Sequence, residues 1–158
     1  MKIIAFSDTH RRFERVEKLF EKTHLYADTY CFAGDGLDDV ENMFYLYPTK
    51  PIHQVAGNCD WGAMEKFIDV FEVEGHKILL THGHLQNAKY GPDGLLRSAR
   101  DNGCDLVIFG HTHEKLCEYH DGIYLVNPGS LGHPHDGVPS YAVIDVSHKG
   151  ILVSHMEL

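Results

Sequence analysis

Seven side chains that can bind a metal ion lie in five short motifs spread along the 158 residues. Each motif follows an apolar run rich in β-branched residues. A residue directly after a strand lies at the edge of the sheet where that strand ends. Motifs that follow neighbouring parallel strands are therefore expected to meet in one crevice. In the two His pairs at i and i+2, an extended backbone would point both rings the same way. The motifs are Asp8-Thr9-His10, Gly34-Asp35, Gly57-Asn58-Cys59-Asp60, Thr81-His82-Gly83-His84 and Gly110-His111-Thr112-His113.

The residue types indicate a pair of transition-metal ions. Imidazole and carboxylate suit zinc, iron, nickel or manganese, whereas magnesium and calcium prefer ligand sets that are nearly all oxygen. Two ions about 3.5–4 Å apart need a shared ligand, and Asp35, followed by Gly36 in a tight turn, is the candidate bridge. With only Asp8 and Asp35 anionic, such a centre stays cationic, which favours an anionic substrate in a chain of formal charge −9.

Each residue also has an ordinary structural interpretation. Asp8 could cap a helix, Asp35 could cap a loop, Asn58 could form an Asx turn, and the paired His could be polar turn residues. These interpretations do not explain why all seven side chains fall in five motifs of this kind. A metal centre is therefore the preferred interpretation.

Composition narrows the class of protein. A hydrophobic content of 43% with 23% charged residues is typical of a globular domain. No apolar run approaches the roughly 20 residues of a membrane span, and the apolar start is too short for a signal peptide. Four cysteines without a CxxC motif predict reduced thiols in a cytoplasmic protein. Without a basic run, nonspecific nucleic-acid binding is not expected; a homo-oligomer is left open.

Periodicity predicts an α/β fold in one domain, residues 1–158. The first half alternates strands and helices, and the second half is rich in hairpins, which indicates a sheet with parallel strands packed on a more antiparallel one, with helices outside. Asp38-Asp39 is predicted to cap the second helix, and the hairpin turns are predicted at Gly75-His76, Asp121-Gly122 and Lys149-Gly150. Strands are predicted over Lys2–Ser7, Thr29–Ala33, Pro51–Ala56, Val70–Glu74, Lys77–Thr81, Asp105–Phe109, Lys115–Tyr119, Ile123–Val126, Ser140–Val146 and Ile151–Met156, and helices over Arg12–Thr23, from Asp38 to about Tyr47 and from Asp93 to about Asn102.

Taken in order, DxH, GD, GN(H/C)D, H and GHTH resemble the signature of the calcineurin-like metallophosphoesterases. The resemblance runs from Lys2 to about Asp145. The small size, the Cys of GNCD and the later Asn127-Pro128-Gly129-Ser130 are similar to the compact prokaryotic YfcE-type phosphodiesterase branch. The implied fold is a four-layer αββα sandwich of two mixed β-sheets flanked by helices.

The resemblance also implies roles for the motif residues. One ion would be held by Asp8, His10, Asp35 and His113, and the other by Asp35, Asn58, His82 and His111. Manganese is the first expectation for both, with zinc, nickel or iron as alternatives. A hydroxide bridging the ions would attack phosphorus in line with the leaving oxygen, while the ions and Asn58 offset the charge on the phosphoryl oxygens.

The chain departs from the wider family at Cys59, where GNHD has a His that is taken to protonate the leaving group. A thiol with a pKa near 8.5 is a poorer donor at pH 7 than imidazolium. His84 is the nearest replacement acid; alternatively, it holds the His82 loop by a hydrogen bond. The roles of His133 and His135 stay open, since the family often has an Arg near that position.

Several neighbouring residues have two interpretations. Asp60 is predicted to cap the turn after it, or else to orient Asn58. The basic residues of the first helix, including Arg11 and Arg15, are predicted to form a solvated face, although Arg11 or Arg12 could meet a substrate phosphate. Trp61, Phe67 and Tyr90 are predicted to pack in the core, or else to line the mouth of the pocket. The remaining His are predicted not to be ligands, and they are His24, His53, His76, His120, His148 and His155.

Two functions follow from these features. The first is a dinuclear phosphodiesterase acting on a small phosphate-ester substrate. The alternative is a non-catalytic scaffold for protein interactions, like the eukaryotic retromer subunit of the same fold, in which metal-site residues have decayed. The complete ligand set favours the enzyme.

Overall fold

The computed structural model describes residues 1–158 and contains ten β-strands, three α-helices and a short 3-10 helix, Ala88–Tyr90. No helix combines the length and apolar character that crossing a membrane requires. In chain order the labelled elements are β1 (Lys2–Phe6), α1 (Phe13–Thr23), β2 (Thr29–Phe32), α2 (Leu37–Leu46), β3 (Ile52–Gln54), β4 (Ile68–Val73), β5 (His76–Thr81), α3 (Asp93–Asn102), β6 (Leu106–Ile108), β7 (Lys115–His120), β8 (Ile123–Pro128), β9 (Ser140–Ser147) and β10 (Gly150–Glu157).

The strands form two mixed sheets of five strands each, in the orders β10-β9-β1-β2-β3 and β4-β5-β6-β8-β7. In the first sheet β1, β2 and β3 are parallel, and β9 and β10 are antiparallel additions. In the second sheet β5, β6 and β8 are parallel, with β4 and β7 antiparallel at the edges. The loops after parallel neighbours leave a sheet at the same edge, so the motifs that follow β1 and β2, and those that follow β5 and β6, are brought together in pairs.

Side-chain alternation along the strands builds the layers. In β1, Ile3 and Ala5 face the second sheet, whereas Ile4 and Phe6 pack with residues of α1 and α2. On the far side of the second sheet, Leu79 packs with residues of α3 such as Leu95. The order is therefore helix, sheet, sheet, helix, and the expected αββα sandwich is confirmed.

Turn positions were predicted correctly for one hairpin and wrongly for two. Asp121 and Gly122 connect β7 to β8 with φ of 48° and 92°, as a type I′ turn requires. In the β4–β5 hairpin the turn is Glu74-Gly75, since Val73 pairs with His76. In the β9–β10 hairpin Ser147 pairs with Gly150, so the turn lies one residue earlier than predicted.

The prediction that Asp38 and Asp39 cap α2 is wrong. The N-cap residue is Gly36, with φ 140° and no side-chain cap. Asp39 instead points back to the loop after β1, where its Oδ2 accepts from the Thr9 hydroxyl at 2.5 Å and the Arg11 N–H at 2.9 Å. This carboxylate joins the loops after β1 and β2, which carry two of the five motifs.

Asp69 in β4 joins the edges of the two sheets. Its carboxylate accepts from His53 Nδ1 in β3 at 2.8 Å and from Lys66 Nζ at 2.7 Å. Burial opposes ionisation of Asp69, but these two donors outweigh it and lower the pKa of its carboxyl. The stabilisation is therefore present above the pKa of an unfolded Asp and is lost as the pH falls through the folded value.

We expect Asp69→Asn to lower the free energy of unfolding by about 1–3 kcal/mol at pH 7, because a nearly buried charged acceptor is lost. The difference from the unchanged protein should shrink as the pH falls towards the folded pKa of Asp69. Urea unfolding at a series of pH values measures both effects. A difference that stayed constant down to strongly acidic pH would contradict the assignment to carboxylate charge.

Candidate metal centre

The motif residues converge at one edge of the two sheets. Three groups have potential ligand atoms all within 4.8 Å of one another. They are Asp8, His10 and His113; His10, Asp35 and Cys59; and Asp8, Asp35 and His82. Because Asp8, His10 and Asp35 each belong to two groups, the three groups form one continuous cluster.

The backbone around this cluster is left-handed at most of the candidate ligands. The φ angles are 54° at Asp8, 44° at His10, 63° at Asp35, 70° at His111 and 59° at His113. Positive φ is uncommon outside glycine and concentrates at functional sites. The expected extended backbone is therefore wrong for His111 and His113, and their rings diverge: that of His113 lies beside His10, and that of His111 beside His82.

Asp35 stands between two sets of candidate ligands. Its Oδ2 lies 3.8 Å from His10 Nε2 and 3.4 Å from His82 Nε2. Its Oδ1 accepts the Cys59 N–H at 2.7 Å, which fixes the orientation of the carboxylate. Burial acts against ionisation, but the contact with His82 and the Cys59 N–H outweigh it and hold the pKa of Asp35 well below its usual range. The Oδ2 atom of Asp35 thus remains available both to the ligands on the His10 side and to those on the His82 side.

The donor chemistry fits bound cations. Asp8 Oδ1 is buried and accepts no hydrogen bond, although His113 Nε2 lies 3.2 Å away and His10 Nε2 lies 3.9 Å away. The Nε2 atoms of His10 and His113 face each other at 3.3 Å. A buried carboxylate oxygen without a donor, met by two imidazole nitrogens, is the arrangement expected where a cation completes the set.

Two imidazoles have their tautomer set by backbone carbonyls. His82 Nδ1 donates to Ala33 O at 2.7 Å, and His113 Nδ1 donates to His133 O at 2.8 Å. In the neutral ring, each Nε2 then carries a lone pair directed at the cluster, which is how metal-binding His are usually oriented. These two residues are suited to act as ligands.

Asn58 and His111 are the outer members of the predicted set. Asn58 Oδ1 lies 3.1 Å from His82 Nε2. His111 belongs to none of the three groups, but its ring centroid lies 4.9 Å from that of His82. Burial and nearby His82 lower the pKa of His111 to about 4, so the ring is neutral at pH 7, as a ligand must be.

His84 and Cys59 are the two remaining residues for which a catalytic role was predicted. The alternative that His84 secures the His82 loop is wrong, since the His84 Nδ1 is buried without a partner. Burial and the neighbouring His82 lower the pKa of His84. Burial, and then a hydrogen bond with Asp35, raise the pKa of the Cys59 thiol to about 11.

Asp60 has a larger role than the turn cap that was predicted. It accepts the N–H of Gly57 at 2.8 Å, so its local contact is with the turn before it and not, as was predicted, with the turn after it. It also accepts the N–H groups of Asp35, Gly36 and Leu37 at 2.8, 2.7 and 3.0 Å. The carboxylate therefore supports both the Asp35 loop and the first turn of α2. It makes no hydrogen bond with Asn58, and sequence spacing contains no signal for the contact across 25 residues.

The segment Asn127–Ser130 lies beside the cluster, as the resemblance implied. Asn127 Nδ2 donates to Gly110 O at 2.9 Å and to the Thr112 hydroxyl at 3.0 Å, which holds the loop of His111 and His113. The Ser130 hydroxyl donates to Asp8 O at 2.8 Å. Asn127 and Ser130 therefore help to fix the loops that carry the candidate ligands Asp8, His111 and His113.

His133 and His135 stand at the outer side of the cluster. The rings of His133 and His10 lie 5.1 Å apart, and those of His135 and His113 lie 5.6 Å apart. His135 Nδ1 meets Glu114 Oε1 at 3.0 Å. Neither belongs to a candidate ligand group.

Other predictions near the site have mixed outcomes. Arg15 is not solvated, because its guanidinium donates to the carbonyls of Leu131 and Gly132. Trp61 and Tyr90 are both 91% exposed, so core packing is wrong for both. Phe67 is half-exposed and meets the His84 ring edge-on. The candidate ligand groups contain no His from outside the five motifs.

Comparison with known proteins gives one consistent result. The calcineurin-like phosphoesterase superfamily domain matches residues 1–149. Phosphodiesterase YfcE of Escherichia coli is 34% identical over an alignment of 171 positions, gaps included, which covers 92% of this chain and 88% of that protein.

Solved structures agree with this match. A conserved protein of Streptococcus pneumoniae, described as a predicted phosphoesterase, superposes with a TM-score of 0.86 and 25% identity over 99% of this chain and 88% of its own. Vps29 of Chaetomium thermophilum superposes with a TM-score of 0.77 over 100% and 95% of the two chains, but at 20% identity this likeness concerns the fold alone.

Proposed function

The chain belongs to the calcineurin-like phosphoesterase superfamily and is a metal-dependent phosphoesterase, and from that premise we propose that it is a dinuclear phosphodiesterase. One ion would be held by Asp8, His10, Asp35 and His113, and the other by Asp35, Asn58, His82 and His111. The observation that carries the proposal is the Asp35 carboxylate, whose Oδ2 lies between His10 and His82. Manganese is the first candidate, and zinc, nickel or iron suits the same donors.

Two bound ions would supply a water activated for in-line attack on phosphorus and positive charge for the phosphoryl oxygens. The chain's own residues set the conditions for that chemistry. Ala33 O and His133 O hold the rings of His82 and His113 in one tautomer. Asn58 offers a neutral amide at the edge of the cluster, where its N–H can donate to a phosphoryl oxygen as charge develops there.

Proton donation to the leaving group is the weak part of this site. The Cys59 thiol has a pKa raised to about 11, so it holds its proton too tightly to act as an efficient acid. We propose His84 as the candidate acid, although burial and the neighbouring His82 lower its pKa and so disfavour the protonated form that would donate. We therefore expect substrates with good leaving groups, which need little protonation, to react best.

The proposal is tested by metal content and hydrolysis together. Protein reconstituted with manganese should contain close to two ions per chain and hydrolyse bis(p-nitrophenyl) phosphate, and a chelator should abolish the activity. A non-catalytic scaffold is the competing function, and it need not retain two ions or hydrolyse any ester. A stoichiometry that stayed at one would count against the shared Asp35.

Location and domain extent are also proposals. All four cysteines are free, and two of them, Cys31 and Cys104, are buried. Free thiols agree with a reducing compartment, so we propose the cytoplasm. One core between the sheets contains residues from Ile3 to Val146, which supports a single domain over residues 1–158.

We expect Cys59→His to accelerate hydrolysis of alkyl esters more than of aryl esters. An imidazolium at this position could protonate a strongly basic departing oxygen, whereas nitrophenolate leaves without help. General acids contribute about 10²–10⁴-fold, and the gain here should be smaller because the loop is not shaped around an imidazole.

Rates for one alkyl and one aryl diester, at matched metal content, measure the effect of Cys59→His. Matching matters because a new His could itself bind an ion. Equal changes for the two substrates would show that position 59 does not deliver the proton, or that His84 already does.

A further inference from the structure

A cavity of about 890 Å³ opens beside the cluster, and we call it the α2 cavity. His10, Asp35 and Cys59 line the part that adjoins the proposed metal centre. Residues of α2 and of the loop after β3 form much of the remaining wall. A diester whose phosphorus reaches the centre can therefore place one of its ester groups in this space.

Three aromatic rings line the α2 cavity without being packed into the core. Phe44, Tyr45 and Trp61 are 40%, 77% and 91% exposed. Aromatic faces carry a negative quadrupole and attract cations, with Trp the strongest. The rings also offer apolar surface to any flat or methylated group.

The charges around the α2 cavity are mostly negative. Of its 17 lining residues six are Asp or Glu, and Arg11 is the only Lys or Arg. Asp35, Asp39 and Asp60 are engaged by backbone or side-chain donors.

The other three carboxylates have acceptor capacity to spare. Asp38 and Glu41 take part in none of the side-chain hydrogen bonds or ion pairs of the protein, and Glu65 meets only Gln54 Nε2, at 3.5 Å. Free carboxylates beside exposed rings disfavour a further phosphate or carboxylate on the substrate and attract a cationic group.

We propose that the α2 cavity selects phosphodiesters in which one ester alcohol carries an ammonium or quaternary ammonium group. This inference rests on the proposed function, since the metal centre must hold the phosphate. The substrate is then a dipole: its single negative charge lies at the cationic centre, and its positive charge lies among Trp61, Tyr45 and Glu41.

A matched pair of substrates isolates the cation. p-Nitrophenyl phosphorylcholine and p-nitrophenyl 3,3-dimethylbutyl phosphate have the same shape and leaving group, and only the first carries a positive charge. In both, water adds to phosphorus, the P–O bond to the nitrophenyl group breaks, and the products are nitrophenolate, a phosphate monoester and a proton. We expect kcat/KM to be roughly 2- to 30-fold higher for the choline ester, which is the range that one cation–π contact supplies between exposed and desolvated sites.

Substitutions test whether the α2 cavity is the cause. Glu41→Gln and Trp61→Ala should each bring the ratio of the two kcat/KM values towards one. Glu21→Gln removes an exposed carboxylate on α1, and Tyr119→Ala removes an exposed ring on β7, and both should retain the ratio. A ratio near one in the unchanged protein, or one that survives both cavity substitutions, would overturn the proposal.

A third substrate separates the cation from aromatic stacking. p-Nitrophenyl 2-phenylethyl phosphate presents a neutral ring to the same cavity, and we expect it to react more slowly than the choline ester. A phenylethyl ester that matched the choline ester would show that the rings alone select the substrate, and the requirement for a cation would be wrong.

Binding can be followed without catalysis, because Trp61 is the sole tryptophan of the chain. In zinc-loaded protein, phosphocholine should change its fluorescence at lower concentration than 3,3-dimethylbutyl phosphate does. If neither diester were hydrolysed while this difference persisted, the proposed function would fail and the cation preference would stand. If both diesters were hydrolysed at equal rates and the two ligands changed the fluorescence at equal concentrations, the proposed function would stand and the cation preference would be wrong.

Discussion

Replacing Asp35 by Asn is expected to remove tight binding of both metal ions and to lower the rate of diester hydrolysis by roughly 10²–10⁴-fold, since metal ions supply several kcal/mol of transition-state stabilisation. The change keeps the shape of the side chain but removes its charge and one of its oxygens. The Oδ2 atom of Asp35 lies 3.8 Å from His10 Nε2 and 3.4 Å from His82 Nε2, so it faces both halves of the ligand set. A neutral amide cannot bridge two cations as a carboxylate does.

Metal content by elemental analysis, after reconstitution with manganese and removal of loosely bound ions, measures this result. His113→Ala should mainly damage the site formed with Asp8 and His10, so about one ion should remain. Asp38→Asn makes the same change of charge outside the cluster and should retain two ions. Small and equal losses for Asp35→Asn and His113→Ala would refute the division into two sites that share one carboxylate.

The second large effect is expected for Asp60→Ala. The Asp60 carboxylate accepts four backbone N–H groups, at 2.7 to 3.0 Å, from the Gly57 turn and the Asp35 loop. Its removal leaves these donors without a charged acceptor, and the free energy of unfolding should fall by roughly 2–3 kcal/mol. Since the Asp35 loop also loses its support, affinity for the ions should fall about 10–100-fold, as for other residues that orient ligands.

Urea unfolding of chelator-treated protein isolates the stability effect of Asp60→Ala from metal binding. Asp38→Ala is the matched control, because Asp38 lies in the first turn of α2 but accepts no hydrogen bond through its side chain. Metal titration of both variants then reports the positioning of Asp35. A loss of stability no larger than that of Asp38→Ala would contradict the supporting role.

Local patterns were enough to predict the layers of the fold. In β1 every residue from Ile3 to Phe6 is apolar, and such a continuous run predicts a strand that is covered on both faces. Ile3 and Ile4 accordingly lie in different hydrophobic clusters. The turn at Asp121-Gly122 was predictable because both residues tolerate positive φ. Glu74 also takes a positive φ, at 53°, which residue preference does not suggest, and the register of β4 and β5 imposes it.

Contacts between distant loops could not be read from local patterns. Asp39 has the sequence context of a helix cap, yet it binds Thr9 and Arg11, and Asp60 binds a loop that precedes it by more than twenty residues. Arg15 has the spacing of a solvated helix face, yet it reaches the carbonyls of Leu131 and Gly132. Such partners depend on which loops the sheets bring together, and spacing along one segment contains no record of them.

The sequence by itself determined the family, the order of strands and helices, and the set of residues from which a metal centre would be built. Those features depend on side-chain type and on short-range periodicity, which act within a few residues. Only the tertiary structure decided that His111 and His113 diverge, that Asp35 Oδ2 lies between His10 and His82, and that Trp61 is exposed in a cavity. Left-handed backbone at the motifs and the packing of one sheet on the other fix those directions, because both arise from contacts between segments far apart in the chain.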